Sequence, residues 1–422
     1  MHMRRAIAFA VMFAVTATAV FPAFAQDNKR KWWPFGRKST NAEQSYDRSN
    51  PRAGGPPIHL PAGYPTLSSA NLQPIRDAIY RYQAIVARGG WPEMPAYELT
   101  PGRRHAAVPI LRERLMIAGD LTQNGGRAKA YDSHVEAAVK RFQARHGLKP
   151  TGLVDVGTLQ AFNVAPSVRL RQLQANLAEL EKLSKAAASK YVLVNIPAAQ
   201  VETVNNNRVV SRHVAIVGKY DRQTPTLKSK VHEINFNPYW TVPRSIVRKD
   251  LVPKARDYVR QGLDVLEEYR MDAYDGKGRR LNPKQIDWYS DSVYKYTYKQ
   301  VPWEDNSLGF VKINFHNKHA VYMHDTPRKS LFGSDFRAES SGCVRVQNVE
   351  GLVAWLLEDT PGWDLNRVRM MKQTGEQRDV KMKSRIPVYF VYLTAWATPD
   401  GQAQFRQDIY RRQGIGATAS AY

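Results

Sequence analysis

The sequence predicts a multidomain α+β protein, helical up to about residue 190 and mostly β thereafter, with a subdomain inserted into the β part. Three observations predict it. The hydrophobic period changes at Tyr191, from helical spacing to β-branched and aromatic runs bounded by Gly, Asn and Pro. A length of 422 residues suits two or three domains, and 43% hydrophobic residues can fill their cores. A charged, tyrosine-rich stretch from about 247 to 305 separates runs of strand type, and a connection that long is expected to be a lid or subdomain rather than a bare loop.

The elements follow in order. Residues 1–25 read as a signal peptide: Arg4 and Arg5 precede an apolar run from Ala6 to Val20, and Ala23-Phe24-Ala25 forms a small-residue cleavage site before Gln26. An uncleaved anchor is the competing reading, because the apolar stretch approaches spanning length; Pro22 and the small residues favour cleavage. No later stretch is long and apolar enough to span a bilayer, so the mature protein is expected not to be membrane-spanning. Residues 26–65, with Lys29-Arg30-Lys31-Trp32-Trp33-Pro34-Phe35 followed by many Ser, Asn, Pro and Gly, read as a disordered linker. Residues 66–107 form a helical scaffold segment around Ile75, Ile79, Tyr82 and Val86. Residues 108–165 read as three short helices, marked by Leu111, Leu115 and Ala118, by Val135, Val139 and Phe142, and by Thr158, Leu159 and Phe162. A connecting helix covers 166–190 with Leu170, Leu173, Leu177, Leu180 and Leu183 on one side. The β domain spans 191–395, with strands expected at 191–195, 208–217, 231–236, 309–315, 320–323 and 386–392. Residues 396–422, with Phe405, Ile409 and Tyr410 among charges, read as a C-terminal helix and tail.

The charge is strongly basic, 62 Lys+Arg against 38 Asp+Glu for a net +24. Such a balance attracts polyanions. No basic recognition helix or aromatic RNA-binding strand motif is present, which argues against nucleic acid, and an anionic polymer of the cell envelope fits an exported chain better. Simple solubility explains the charge equally well.

Cys343 is the only cysteine, so it cannot form an intrachain disulfide in a compartment that oxidises thiols. A nucleophilic role is the reading it invites. A thiol attacks a carbonyl as thiolate, and histidine is the side chain best suited to take its proton. His316, His319 and His324 all precede it; His324 ends an expected strand at a Asp325-Thr326-Pro327 turn, where its ring reaches the sheet's rim. Ser341-Gly342-Cys343 supplies backbone amides able to converge on an oxyanion, and Arg345 is placed to hold a substrate carboxylate or, alternatively, a surface salt bridge. The three histidines also admit a zinc reading, weakened by the lack of any ordered carboxylate spacing.

Two resemblances add to this. Val139-Lys140-Arg141-Phe142-Gln143-Ala144-Arg145-His146-Gly147-Leu148, with Gly152 and Thr158-Leu159, resembles the type 1 peptidoglycan-binding domain. Met323-His324-Asp325-Thr326-Pro327 and Ser340-Ser341-Gly342-Cys343-Val344-Arg345 resemble the signature of the YkuD L,D-transpeptidases, in particular a large periplasmic branch with an inserted capping subdomain. Arg222-Gln223-Thr224-Pro225 and the run from Asn235 to Pro243 support the same branch. The resemblance implies a YkuD-like β-sandwich and an enzyme, located in the periplasm and associated with the cell wall. It implies Cys343 as nucleophile and His324 as general base and acid, with Ser341, Gly342 and Arg345 at the oxyanion and substrate. It also implies a substrate groove along Tyr322, Asp325, Tyr239 and Trp240. The implied reaction joins peptidoglycan tetrapeptide stems, donor and acceptor, by 3-to-3 crosslinks through a cysteine acyl-enzyme without cofactor or metal. Carboxypeptidases and glycan-synthesis enzymes are the implied partners. A hydrolase of the same fold and a non-catalytic wall-binding scaffold are the alternatives.

Overall fold

In the computed structural model, residues 63–122 and 128–413 are described; the expected signal peptide, most of the expected linker and the last nine residues lie outside them. Helix α1 (Leu72–Ala87) buries Ile75, Ala78 and Tyr82, which recur at helical spacing. No helix follows before Val108, so the expected scaffold segment is one helix and an extended stretch. Helices α2 (Val108–Ile117), α3 (Ser133–Arg145) and α4 (Val156–Phe162) share one core built on Leu111, Leu115, Val135, Val139, Phe142 and Phe162. Asp132 and Asp155 cap α3 and α4 by accepting from the amides of Val135 and Thr158. Helix α5 (Pro166–Lys185) packs along α1, and its Leu173 and Leu180 join Ile75 and Tyr82 in a second core.

The β part begins with β1 (Lys190–Asn195), β2 (Gln200–Asn205), β3 (Arg208–Gly218) and β4 (Leu227–Phe236). A small subdomain follows: β5 (Trp240–Thr241), α6 (Arg244–Ile246), α7 (Val252–Arg260), α8 (Val265–Glu268), β6 (Met271–Tyr274) and β7 (Thr297–Gln300), the strands forming their own sheet in the order β5-β7-β6. It starts at Trp240, ahead of the expected 247. The main sheet resumes with β8 (Val311–Phe315), β9 (Met323–His324), β10 (Ala338–Ser340) and β11 (Val344–Val346), then α9 (Val349–Leu356), α10 (Leu365–Thr374) and β12 (Arg378–Val391). Its order is β10-β3-β11-β9-β8-β4-β12-β1-β2, and β2 also pairs with β3. The layers of the expected sandwich are therefore continuous, a sheet closed on itself with β10 attached outside the ring.

Alternation along the strands sorts residues between cores. Val192 and Val194 enter the core of the sheet with Ile234, Ile313, Met323, Val344 and Phe390, while Tyr191 and Leu193 face α1 and α5.

The expected C-terminal helix is absent from the described residues 396–413. Instead β13 (Ala395–Ala397) and β14 (Ala403–Phe405) form a hairpin, and turns follow it. The reason lies in the anchors: Phe405 packs with α1 and α5, whereas Tyr410 enters the core of the closed sheet, and one helix face cannot serve both. Among the described residues no helix is long and apolar enough to cross a membrane.

Candidate active site

Register puts the predicted residues on one face. β9 and β11 run parallel with Met323 beside Val344 and His324 beside Arg345, and β8 sets Lys312 beside His324 and Ile313 beside Met323. Ile313, Met323 and Val344 point into the core and are fully buried. By alternation Lys312, Asn314, Tyr322, His324, Cys343 and Arg345 share the opposite face. Tyr322 and Cys343 each stand one residue before that register: the Val344 amide donates to the Tyr322 carbonyl at 3.1 Å, and Tyr322 hydrogen-bonds the Cys343 thiol.

The turn carrying Cys343 is held by its own side chains. Ser340 Oγ donates to the Cys343 carbonyl at 2.6 Å and accepts from the Gly342 amide at 3.1 Å. Gly342 has φ +116°, a conformation other residues rarely adopt. The expectation that the amides around Gly342 converge on an oxyanion is thereby narrowed: the Gly342 N–H is already used, and the Val344 N–H donates to the Tyr322 carbonyl. Cys343's own amide is the donor left at the nucleophile position. Ser341 is not free in the groove either. Its Oγ accepts from Arg222 Nη1 at 2.8 Å, and Arg222 also pairs with Asp250 in the π-helical segment between α6 and α7 of the inserted subdomain.

Burial dominates the electrostatics. The Cys343 thiol is only partly exposed, and burial pushes it above the ordinary thiol range against hydrogen bonds from Tyr322 and the charges of Lys312 and Arg345. His324 is buried, and its imidazole is lowered to about 3, first by burial and then by the Arg345 charge. The backbone at Asp325 and Leu308 acts in the opposite sense, yet Nδ1 has no well-formed hydrogen bond. Arg345 is lowered to about 10 by burial and by Arg328, and so stays cationic at neutral pH. The resting site therefore holds a neutral thiol and a neutral imidazole in a cationic field. Tyr322, raised by burial, keeps its proton for the thiol and accepts from Trp240 Nε1 at 3.2 Å. Tyr239 stands exposed at the rim.

Asp325 does not line the groove as expected. It follows His324 in the chain and so points to the other side, where its buried carboxylate pairs with Lys329 and accepts from the Phe310 amide at 3.2 Å. A Cβ on Gly309 would lie 2.4 Å from that carboxylate, so the chain from 306 to 310 is pressed against it. The three histidines do not converge: His316 stacks on His232 with ring centroids 4.0 Å apart, and His319 is exposed in a turn. Among the described residues no three His, Cys, Asp or Glu side chains gather as a metal site would need.

Lys312, Arg222 and Asn314 were not anticipated. The alternation in Val311-Lys312-Ile313-Asn314-Phe315 was the available signal, since it puts two polar residues opposite a core face. The polar row continues outward, Asn314 donating to Asn235, whose amide donates to Glu233 at 2.9 Å and to Asp379 at 2.6 Å.

A thiol, a neutral base, a buried guanidinium and a free amide on one face constitute the parts of an acyl-transfer site. Residues 189–368 match the YkuD family, described as an L,D-transpeptidase catalytic domain, and residues 104–162 match a "Putative peptidoglycan binding domain". A Haemophilus influenzae protein named "Putative L,D-transpeptidase" is 32% identical over 220 residues, 52% of this chain, and the match spans 44% of that relative's length. Among solved structures, an L,D-transpeptidase from Stackebrandtia nassauensis is 14% identical, with 71% of this chain and 96% of that one covered at a TM-score of 0.27. One from Mycobacterium smegmatis is 12% identical, with 49% and 59% covered at 0.23. The two family matches fall on the mostly β domain and on the helical unit that precedes it. Residues 189–368, less than half of the chain, carry the likeness to the YkuD L,D-transpeptidase catalytic domain.

Proposed function

We propose that the protein is an exported L,D-transpeptidase that forms 3-to-3 crosslinks between peptidoglycan peptide stems. The observation that carries the reading is the shared face of Cys343, Tyr322, His324, Arg345 and Lys312. Cys343 attacks the carbonyl between the diamino acid and the terminal D-alanine of a tetrapeptide stem while His324 takes the thiol proton. A C–S bond forms, the C–N bond breaks, and His324 returns its proton to the departing D-alanine amine. The side-chain amine of a second stem then attacks the thioester, giving the crosslink and restoring the thiol. His324 is unprotonated in the resting site and so can accept the thiol proton, while the burial that lowers it opposes the transfer until the attack develops charge. Arg345 and Lys312 offer the stems' carboxylates a cationic seat, and the inserted subdomain, tied to Ser341 through Arg222 and Asp250, limits the access of water that would turn the acyl-enzyme to hydrolysis.

The test incubates the full chain with defined tetrapeptide stems and follows products by mass. Crosslinked dimer and released D-alanine are expected, with a thioester at Cys343 that Cys343→Ala abolishes. Free tripeptide without dimer would identify a hydrolase, and no turnover with an inert thiol a wall-binding scaffold.

A further inference from the structure

The turn from Ser340 to Cys343 is backed from inside by groups that no step above uses. Thr224 is fully buried. Its Oγ1 donates to the Gly342 carbonyl at 2.8 Å and accepts from the Gly218 amide at 2.8 Å. Its amide donates to the Tyr410 hydroxyl at 3.1 Å, and that hydroxyl donates to the Gly218 carbonyl. Both polar groups of Gly218, the Thr224 amide and the Thr224 hydroxyl oxygen thus enter one closed cycle with the Tyr410 hydroxyl, and the Thr224 hydroxyl proton reaches out of it to Gly342. The packing leaves no slack: a Cβ on Gly218 would lie 2.2 Å from the Arg222 carbonyl and 2.6 Å from the Thr224 amide. Tyr410 is itself fixed, stacked on Tyr392 with ring centroids 5.6 Å apart and bonded through its amide to the Tyr392 hydroxyl at 2.8 Å.

The consequence is directional. The described peptide bonds are all trans, so the Gly342 carbonyl and the Cys343 N–H point in opposite directions. Thr224 draws the carbonyl inward and thereby turns the Cys343 amide outward, to the side from which the thiol is reached. Gly342 has no Cβ to fix this peptide plane by itself, so the orientation depends on the hydrogen bond. We propose that Thr224, braced by Tyr410 of the C-terminal segment, is a positioning residue that aims the Cys343 amide at the oxyanion. The inference rests on the acyl-enzyme reading and adds to it a role for a segment that has none in the chemistry.

Two reactions of the same thiol separate aiming from folding. Acylation by a carbapenem passes through an oxyanion: the C–S bond forms, charge collects on the lactam oxygen, and the C–N bond then opens. Alkylation by iodoacetamide displaces iodide from a saturated carbon and forms no oxyanion. In the full chain, Thr224→Val should slow acylation about 10²-fold or more while alkylation stays within about 2-fold, and Thr224→Ser should restore most of the loss. Tyr410→Phe should slow acylation about 10-fold with the same selectivity, and it carries the comparison should the valine variant not fold. Acylation unchanged in both variants, or both rates falling together, would overturn the proposal. Wild-type protein that alkylates but never acylates would sink the acyl-enzyme reading instead.

Discussion

Two histidines, His146 at the end of α3 and His324 at the end of β9, are equally buried, each 5% exposed, and in both the imidazole is pushed down first by burial and then by arginine charges. Their surroundings differ in what the ring nitrogens meet. His146 is filler: Nδ1 donates to the Phe142 carbonyl at 2.7 Å, and the ring stacks on Phe142 and Phe405, joining the helical unit to the C-terminal hairpin. His324 has an unsatisfied Nδ1 and lies on the face that carries a thiol. A neutral buried imidazole is thus not in itself a functional signal in a chain this basic; what the second nitrogen can reach is.

The largest effect should come from exchanging the two positions as targets. His324→Ala removes the base and should slow carbapenem acylation of Cys343 by about 10³-fold or more. His146→Phe should leave acylation within about 2-fold and cost stability of about 1 kcal/mol, the worth of its hydrogen bond, read from urea unfolding. Equal losses of acylation in both variants would erase the distinction.

An effect of intermediate size concerns pH. With His324 lowered to about 3, the base stays neutral at pH 5 as at pH 7, and acylation should be nearly flat between them. An ordinary imidazole would lose about 25-fold over that interval, so a drop of that size would show that the ring is not held as described. Stability behaves differently. Both histidines have folded values below the ordinary 6.5, so the unfolded chain binds more protons under mild acid, and stability is lost as pH falls from 6.5 towards 3. His146→Phe should flatten part of that dependence in unfolding measurements at pH 7, 5 and 4.

The contrast also explains what the sequence disclosed. Cys343, His324 and the break at Tyr191 were legible because they rest on local pattern: a solitary thiol, a strand ending in a turn, a change of period. The helices around Leu111, Val139 and Phe162 were legible for the same reason. Residues 396–413 were misread because Phe405 and Tyr410 suit a helix locally, and only the two separate cores that receive them dictate a hairpin and turns. Arg222 and Thr224 were legible only as part of the Arg222-Gln223-Thr224-Pro225 resemblance; their roles were not, because their partners Gly342, Tyr410, Ser341 and Asp250 are distant in sequence. Asp325 was misplaced by adjacency: next to His324 along the chain, it faces the opposite side of the strand.

That side gives the smallest effect, and the sharpest test of how His324 is held. In the helical region Asp120 grips Arg145 with both oxygens, at 2.7 and 2.5 Å, and both side chains are buried. Asp325 pairs with Lys329, whose side chain is half exposed, so the ion pair is screened and contributes little. Its hydrogen bond from the Phe310 amide is the stronger constraint on the chain at Leu308, the backbone that faces His324. Asp325→Asn keeps an acceptor for that amide and loses only the charge, so acylation should fall by about 2–5-fold, with iodoacetamide alkylation unchanged. A loss approaching that of His324→Ala would mean that the carboxylate's charge, and not its grip on the loop, is what tunes the imidazole.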